Sequence, residues 1–196
     1  MRKIVVGISG ASGTIYGIRL LEALHQVPDV ETHLVMSRWA KENLAIEKTG
    51  YTEKQVVALA DFVHPEQNMG ATIASGSFKH DGMVIVPTSM KTLASIATGL
   101  GENLIARAAD VTLKERRPLV IVPRESPFNQ IHLENMLKLA QMGVAIVPPI
   151  PAFYNQPQTI DDIVNHTVMK LLDQLHIETN LGSRWEGLAN ARQNAR

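Results

Sequence analysis

The feature that most constrains this chain is a set of short, mostly continuous Val/Ile/Leu runs bounded by Gly or Pro. They cover Lys3–Ser9, Glu31–Met36, Gly82–Pro87, Leu119–Pro123 and Val144–Val147. Runs of this length with little polar alternation are strands covered on both faces, as in a parallel sheet. Helical periodicity fills the intervals: Thr14–Gln26, Arg38–Lys48, Glu53–Ala60, Lys91–Thr98, Asn103–Arg116, Ile131–Met142 and Thr159–Leu175. Thr52-x-x-Gln55 and Thr159-x-x-Asp162 have the spacing of capping boxes, the second approximate. The less regular stretch Asp61–Ser77 is expected to hold a short extra strand near Thr72–Ala74. Alternating strand and helix specifies an α/β chain: a Rossmann-like, doubly wound, mostly parallel sheet with helices on both faces.

The 196 residues fit one domain, expected over residues 1–188, with the polar stretch Ala189–Arg196 as a frayed tail. Lys+Arg and Asp+Glu both number 19, so the net charge is zero. That argues against nucleic acid as the main partner and removes charge repulsion as a guard against self-association. No cysteine is present, which excludes disulfides, thiolate nucleophiles and Cys-ligated zinc. Gly7, Ser9 and Gly10 break the first apolar run too early for a signal sequence or a membrane span. A soluble, cytoplasmic protein is the expectation.

In an open parallel sheet, ligands bind beyond the carboxyl ends of the strands, so the residues after each run survey the function. The first run is followed by Ser9-Gly10-Ala11-Ser12-Gly13, the second by Ser37, the third by Pro87-Thr88-Ser89-Met90-Lys91-Thr92. The fourth leads into Pro123-Arg124-Glu125 and the fifth into Pro148-Pro149-Ile150-Pro151-Ala152-Phe153-Tyr154. Any single Ser or Thr here reads as a helix N-cap. Three such edges together, with free N–H groups at helix starts, point to a phosphate site. Gly7, Gly10 and Gly13 lack the G-x-G-x-x-G spacing of a dinucleotide fold, and Ser37 stands where an acidic residue would take a ribose hydroxyl. A mononucleotide fits better, and FMN is the natural candidate because no P-loop or kinase-like motif is present.

Arg124-Glu125 reads equally as a phosphate fork beside a proton carrier and as a surface ion pair. Arg107, Asp110 and Lys114 share a helix face, where a solvated salt-bridge stripe is the plainer reading. Four prolines between Pro148 and Pro157 stiffen a loop that either presents Tyr154 to a ligand or plugs the sheet end with Phe153 and Tyr154. The seven histidines have no metal spacing, and Asp161-Asp162 reads as helix N-terminal charge, so metal-independent chemistry is expected. Trp185 reads as packing or interface.

Longer stretches resemble one family. VGISGASG-x-x-YG-x-RLL, ETHLVMS, IASGSF, SMKTLASIATG, NLIARAADV-x-LKERRPLVIVPRE, IHLENMLKLAQMG, PPIPAFYNQPQ and the final RW are similar to the UbiX-type flavin prenyltransferases. That family includes subunits long described as phenolic-acid or polyprenyl-hydroxybenzoate decarboxylases. The similarity runs from about Lys3 to Trp185, and LKERRPLVIVPRE and PAFYNQPQ are its most specific blocks. The resemblance implies a flavoprotein-type fold and a metal-independent reaction. In it, dimethylallyl monophosphate alkylates reduced FMN at the central-ring nitrogen, and closure onto the adjacent benzenoid carbon adds a fourth ring. It also implies a UbiD-type decarboxylase as recipient of the prenylated FMN, and a homododecamer with active sites at subunit boundaries. By similarity, Gly10, Ala11, Ser12, Ser37, Ser89, Met90, Lys91, Thr92 and Arg124 hold FMN, and Tyr154 and Lys170 bind the dimethylallyl phosphate. Glu47, Lys114 and Glu125 surround the reacting carbons with Arg107 nearby, and Trp185 matches an aromatic near the site in some members. Either Glu125 or the released phosphate takes the ring-closure proton.

Two positions depart from the family pattern. Thr88 stands where cysteine is common, which is expected to alter packing rather than chemistry. Lys170 stands where arginine is common, keeping the charge but losing the fork. A phosphopantothenoyl-cysteine-type decarboxylase would want a P-x-M-N turn and a catalytic His, where this chain has Pro87-Thr88-Ser89-Met90-Lys91. A direct aromatic-acid decarboxylase and a non-catalytic flavin carrier are the other readings. A carrier would fit the loss of Lys114, Glu125 or Tyr154, and all three are present.

Overall fold

The computed structural model describes residues 1–185 and 187. The boundary expected at residue 188 and the tail from Ala189 lie outside the described residues. Six strands, β1 (Arg2–Ile8), β2 (Val30–Met36), β3 (Phe62–Pro65), β4 (Gly82–Thr88), β5 (Leu119–Pro123) and β6 (Ala145–Ile146), form one sheet in the order β3-β2-β1-β4-β5-β6. Every pairing is parallel. The five apolar runs all become strands, the last shortened to two residues at the sheet edge.

The extra strand is not where the sequence reading put it. It is β3, paired with His33–Met36 of β2, whereas Thr72–Ala74 forms a single 3₁₀ turn that buries Ile73. Phe62-Val63-His64-Pro65 has no continuous apolar run because it is an edge strand, half exposed, where proline's missing N–H costs no ladder bond.

The helices are α1 (Thr14–His25), α2 (Arg38–Ile46), α3 (Glu53–Val57), α4 (Met90–Thr98), α5 (Leu104–Lys114), α6 (Gln130–Gln141) and α7 (Ile160–Gln174). One core joins α1, α2, α3 and α7 to one face of the sheet through Ile18, Leu44, Val56 and Val168. A second joins α4, α5 and α6 to the other face through Leu93, Ile105 and Leu139. Both expected capping boxes form, at Thr52–Gln55 and Thr159–Asp162, and Asn129–His132 makes a third. Among the described residues, no helix is long and apolar enough to cross a membrane.

The order of connection reverses at β1, which pairs with β2 on one side and β4 on the other. A crevice at such a reversal is the natural ligand site of an open α/β sheet. Here Ser9 draws its two walls together: its hydroxyl donates to the Pro87 carbonyl at 2.9 Å and accepts the Ser89 N–H at 2.8 Å. Next to it, fully buried Thr88 sits where the β4–β5 register shifts. Its hydroxyl donates to the Ile85 carbonyl at 2.6 Å and accepts the Val122 N–H at 3.0 Å, so it splices the two strands. Thr88→Val would keep the shape but strand the Val122 N–H, and is expected to cost about 1–3 kcal/mol. Thr88→Ser should cost less. Denaturant midpoints check this, and an unchanged midpoint for the valine variant would contradict the splice.

Candidate active site

Two adjoining cavities open at the carboxyl ends of β1 and β4, sharing Gly10 and Ser89. The first, ≈ 180 Å³, is lined by Ser37, Trp39, Glu66, Lys91, Thr92 and Asn103 among others. The second, ≈ 310 Å³, is lined by Ala11, Ser12, Asn43, Glu47, Met90, Arg124 and Glu125 among others. Gly10 lies against Trp39 so closely that a Cβ would stand 2.5 Å from Trp39 Cβ, so only glycine fits this turn without displacing the indole. Gly13 begins α1 at φ 100, a left-handed conformation that glycine adopts without strain. All nine residues expected to hold a mononucleotide line one cavity or the other, with Glu47 and Glu125 beside them.

Three of the helices that start along this edge follow the hydroxyl-bearing turns, but their N-termini are not equally available to an anion. At α1, the Gly13 and Thr14 N–H groups donate to Glu47 at 2.7 and 2.9 Å, and the Thr14 hydroxyl adds a third bond at 2.6 Å. At α2, Ser37 caps through the Ala40 N–H while the Arg38 N–H donates to Glu66 at 2.8 Å. Glu66 also accepts from the Asn103 amide at 2.9 Å, locking the start of α5 to the same wall. At α4, Ser89 caps through the Thr92 N–H, and among the described residues no carboxylate accepts from the N–H groups of its first turn, while Glu102 pairs with the Lys91 side chain at 3.4 Å. The α4 start therefore keeps the free N–H groups and partial positive charge that suit a phosphate. The sequence offered three equivalent hydroxyl-bearing edges; the structure spends two of them on carboxylates. The residues present fit FMN: hydroxyls and free N–H groups for a phosphate, and a wider neighbouring cavity with both an arginine and carboxylates at its rim.

The remaining expected site residues are not brought to these cavities within one chain. On α5, over one sheet face, Arg107 pairs with Asp110 at 2.7 Å and donates to the Ala74 carbonyl at 3.2 Å. Lys114 closes the far end of α5 and pairs with Glu115. On the other face, Tyr154 packs beside α7, its hydroxyl 2.9 Å from His166 Nε2, with Trp185 edge-on to its ring at 5.7 Å between centroids. Tyr154 thus neither plugs the sheet end nor reaches the cavities. Lys170 lies farther along α7, 3.8 Å from Asp173, which also holds Arg184. Sequence reading missed Trp39, Asn43, Glu66, Asn103 and His166. Glu66 follows β3, the strand the sequence did not reveal, and the contacts of all five with their partners lie too far apart in the chain to show as spacing.

Burial raises the Glu47 pKa, but the hydroxyls of Thr14 and Ser12 and the N–H groups of Gly13 and Thr14 outweigh it, so the carboxyl sits below its ordinary value. A depressed folded pKa contributes stability above the ordinary glutamate value of about 4.3, and that contribution is lost as pH falls through the folded value. Glu47→Gln is expected to cost about 1 kcal/mol at neutral pH, with the gap to wild type closing in acid. Chemical denaturation across that range checks this, and a gap that does not change with pH would contradict the charged cap.

Comparison with known proteins agrees with this geometry. The Flavoprotein family model matches residues 1–172. A flavin prenyltransferase, LpdB, from Lactiplantibacillus plantarum is 64% identical over 187 residues, covering 95% of this chain and 100% of that protein. A crystal structure of a dodecameric FMN-dependent UbiX-like decarboxylase from Escherichia coli O157:H7 superposes with a TM-score of 0.93 at 56% identity, covering 94% of this chain and 100% of that one. The structure of AnUbiX (PadA1) in complex with FMN and dimethylallyl pyrophosphate also superposes at 0.93, with 49% identity over 95% of this chain and 98% of that one. With a mononucleotide crevice at the β1–β4 reversal and identity of this extent along nearly its whole length, this chain belongs to the flavoprotein family, among the UbiX-type flavin prenyltransferases.

Proposed function

We propose that this chain joins the dimethylallyl group of dimethylallyl monophosphate to reduced FMN, giving prenylated FMN. The observation that carries the reading is the crevice in which Gly10, Ser37, Ser89, Lys91 and Thr92 meet at the start of α4, which among the described residues carries no carboxylate, beside a wider cavity edged by Arg124 and Glu125. Ser37, Ser89, Thr92 and Lys91 hold the flavin phosphate, and Ala11, Ser12, Met90 and Arg124 the ring side. Glu47 keeps the first turn rigid beneath them. Reduced FMN supplies the electron-rich nitrogen and carbon that the allyl group joins.

The chain's own task is to make an allylic phosphate leave without a metal. Clustered cations and a phenol donor in a dry pocket stabilise the departing charge. Tyr154 and Lys170 bind that phosphate, and Arg107 and Lys114 add positive charge around the reacting carbons. Glu125, at the cavity rim, accepts the proton lost on ring closure. Arg107, Lys114, Tyr154 and Lys170 line neither cavity of their own chain. Separate copies deliver them, in a homododecamer like that of the 56% identical relative. The assembly works in the cytoplasm and passes its product to a UbiD-type decarboxylase.

The test is anaerobic incubation with reduced FMN and dimethylallyl monophosphate, followed by mass spectrometry of the extracted flavin. A flavin heavier by one five-carbon unit is expected. Unmodified FMN recovered under verified reducing conditions would overturn the reading. Direct decarboxylation of a phenolic acid would then be assayed next, since the dodecameric relative is described as a decarboxylase.

A further inference from the structure

His166 takes no part in the reaction outlined above, yet it is the polar group that meets the Tyr154 hydroxyl. The residue is 7% exposed, on the inward side of α7. Its Nε2 lies 2.9 Å from Tyr154 Oη, and the two rings pack edge to face at 81°, with centroids 5.6 Å apart. Lys170 follows four residues later on the same helix, so it stands one turn below on the same face. Tyr154 is carried by a proline-rich loop with no regular secondary structure, and its ring packs edge to face with those of His166 and Trp185. The hydroxyl of such a residue has no fixed direction unless something on the rigid scaffold sets it.

We propose that His166 is a positioning residue that aims the Tyr154 hydroxyl proton at the allylic phosphate. This rests on the prenyltransferase reading. The Tyr154–His166 bond has two proton arrangements. If Tyr154 donates to Nε2, its oxygen presents only lone pairs, which repel a phosphate. If Nε2–H donates to Tyr154 Oη, the phenol proton points outward and is polarised by the bond behind it. An anion beside Tyr154 and Lys170 selects the second arrangement. Burial, reinforced by the Lys170 charge, holds the His166 pKa below its ordinary value, so the imidazole is neutral with a single N–H to place. Asp173 opposes that effect while holding Lys170 and Arg184. The donor pair on the phosphate is thereby Tyr154 O–H and Lys170 Nζ, the first oriented by His166.

The test uses the assembled, FMN-loaded protein and measures calorimetric Kd for dimethylallyl monophosphate together with KM and kcat. His166→Phe keeps a ring against Tyr154 and removes the donor. It is expected to raise Kd and KM about tenfold and to lower kcat as well, since the same O–H stabilises the departing charge, the first effect being the loss of roughly one hydrogen bond to a charged group. His166→Gln, which keeps an N–H near the Nε2 position, should stay within about threefold of wild type. In a Tyr154→Phe background, adding His166→Phe should change Kd less than about twofold, because the two act as one unit. Wild-type affinity in His166→Phe, equal losses in the Phe and Gln variants, or a full further loss in the Tyr154→Phe background would each overturn the proposal. A wild-type protein that neither binds dimethylallyl monophosphate nor alters the flavin would overturn the prenyltransferase reading as well, which separates the two failures.

Discussion

The structure turns on the pairing of β1 with β4. Those strands are neighbours in the sheet but are separated in the chain by two complete strand–helix crossovers, and Ser9 closes the gap between their carboxyl ends with hydrogen bonds to both sides of Pro87-Thr88-Ser89. That closure brings a glycine turn and the start of α4 to one crevice. Thr88 then carries the constraint outward to β5, fixing where Arg124 and Glu125 emerge. A single hydroxyl on each of two buried residues thus ties β1 to the turn after β4 and β4 to β5 at the floor of the cavities.

Electrostatics decides how that crevice is used. Parallel strands place successive helix N-termini along one edge, and three like partial charges side by side would attract anions without discrimination. Glu47 and Glu66 neutralise two of them from within the chain. What remains is the α4 start, with Lys91 paired to Glu102 beside it, and a second cavity lined by Arg124 together with Glu47 and Glu125. A phosphate at one end and a neutral, electron-rich ring at the other match this division of charge. Two phosphates, as in a dinucleotide, do not.

Much of this was legible in the sequence because it is local. Strands buried on both faces show as apolar runs, and the caps at Thr52 and Thr159 show as spacing of three residues. What stayed hidden depends on contacts between distant segments. β3 is too short and too exposed to leave an apolar signature, and Thr72–Ala74 looked strand-like although Ile73 is buried by a turn. The family resemblance places Glu47 beside the reacting carbons, and its hydrogen bonds to the start of α1 join segments too far apart for the sequence to show. His166 reads as one of several ordinary histidines until the Tyr154 hydroxyl appears beside it.

The spatial division of the remaining residues gives the proposal its sharpest form. Glu125 sits at the cavity, Lys114 at the far end of α5 on one face, and Lys170 on α7 over the other. Under the proposed function these residues meet across copies of the chain, and the chain's zero net charge sets no long-range barrier to that association. The most direct measurement is co-expression of Glu125→Gln with Lys170→Ala, each inactive alone, followed by assay of the purified mixed assembly for prenylated flavin. If each site draws these residues from different copies, random mixing restores about a quarter of the sites, because each partner is intact half the time. A co-assembled hybrid no more active than its parents would show that both residues must come from the same chain, contradicting the shared site.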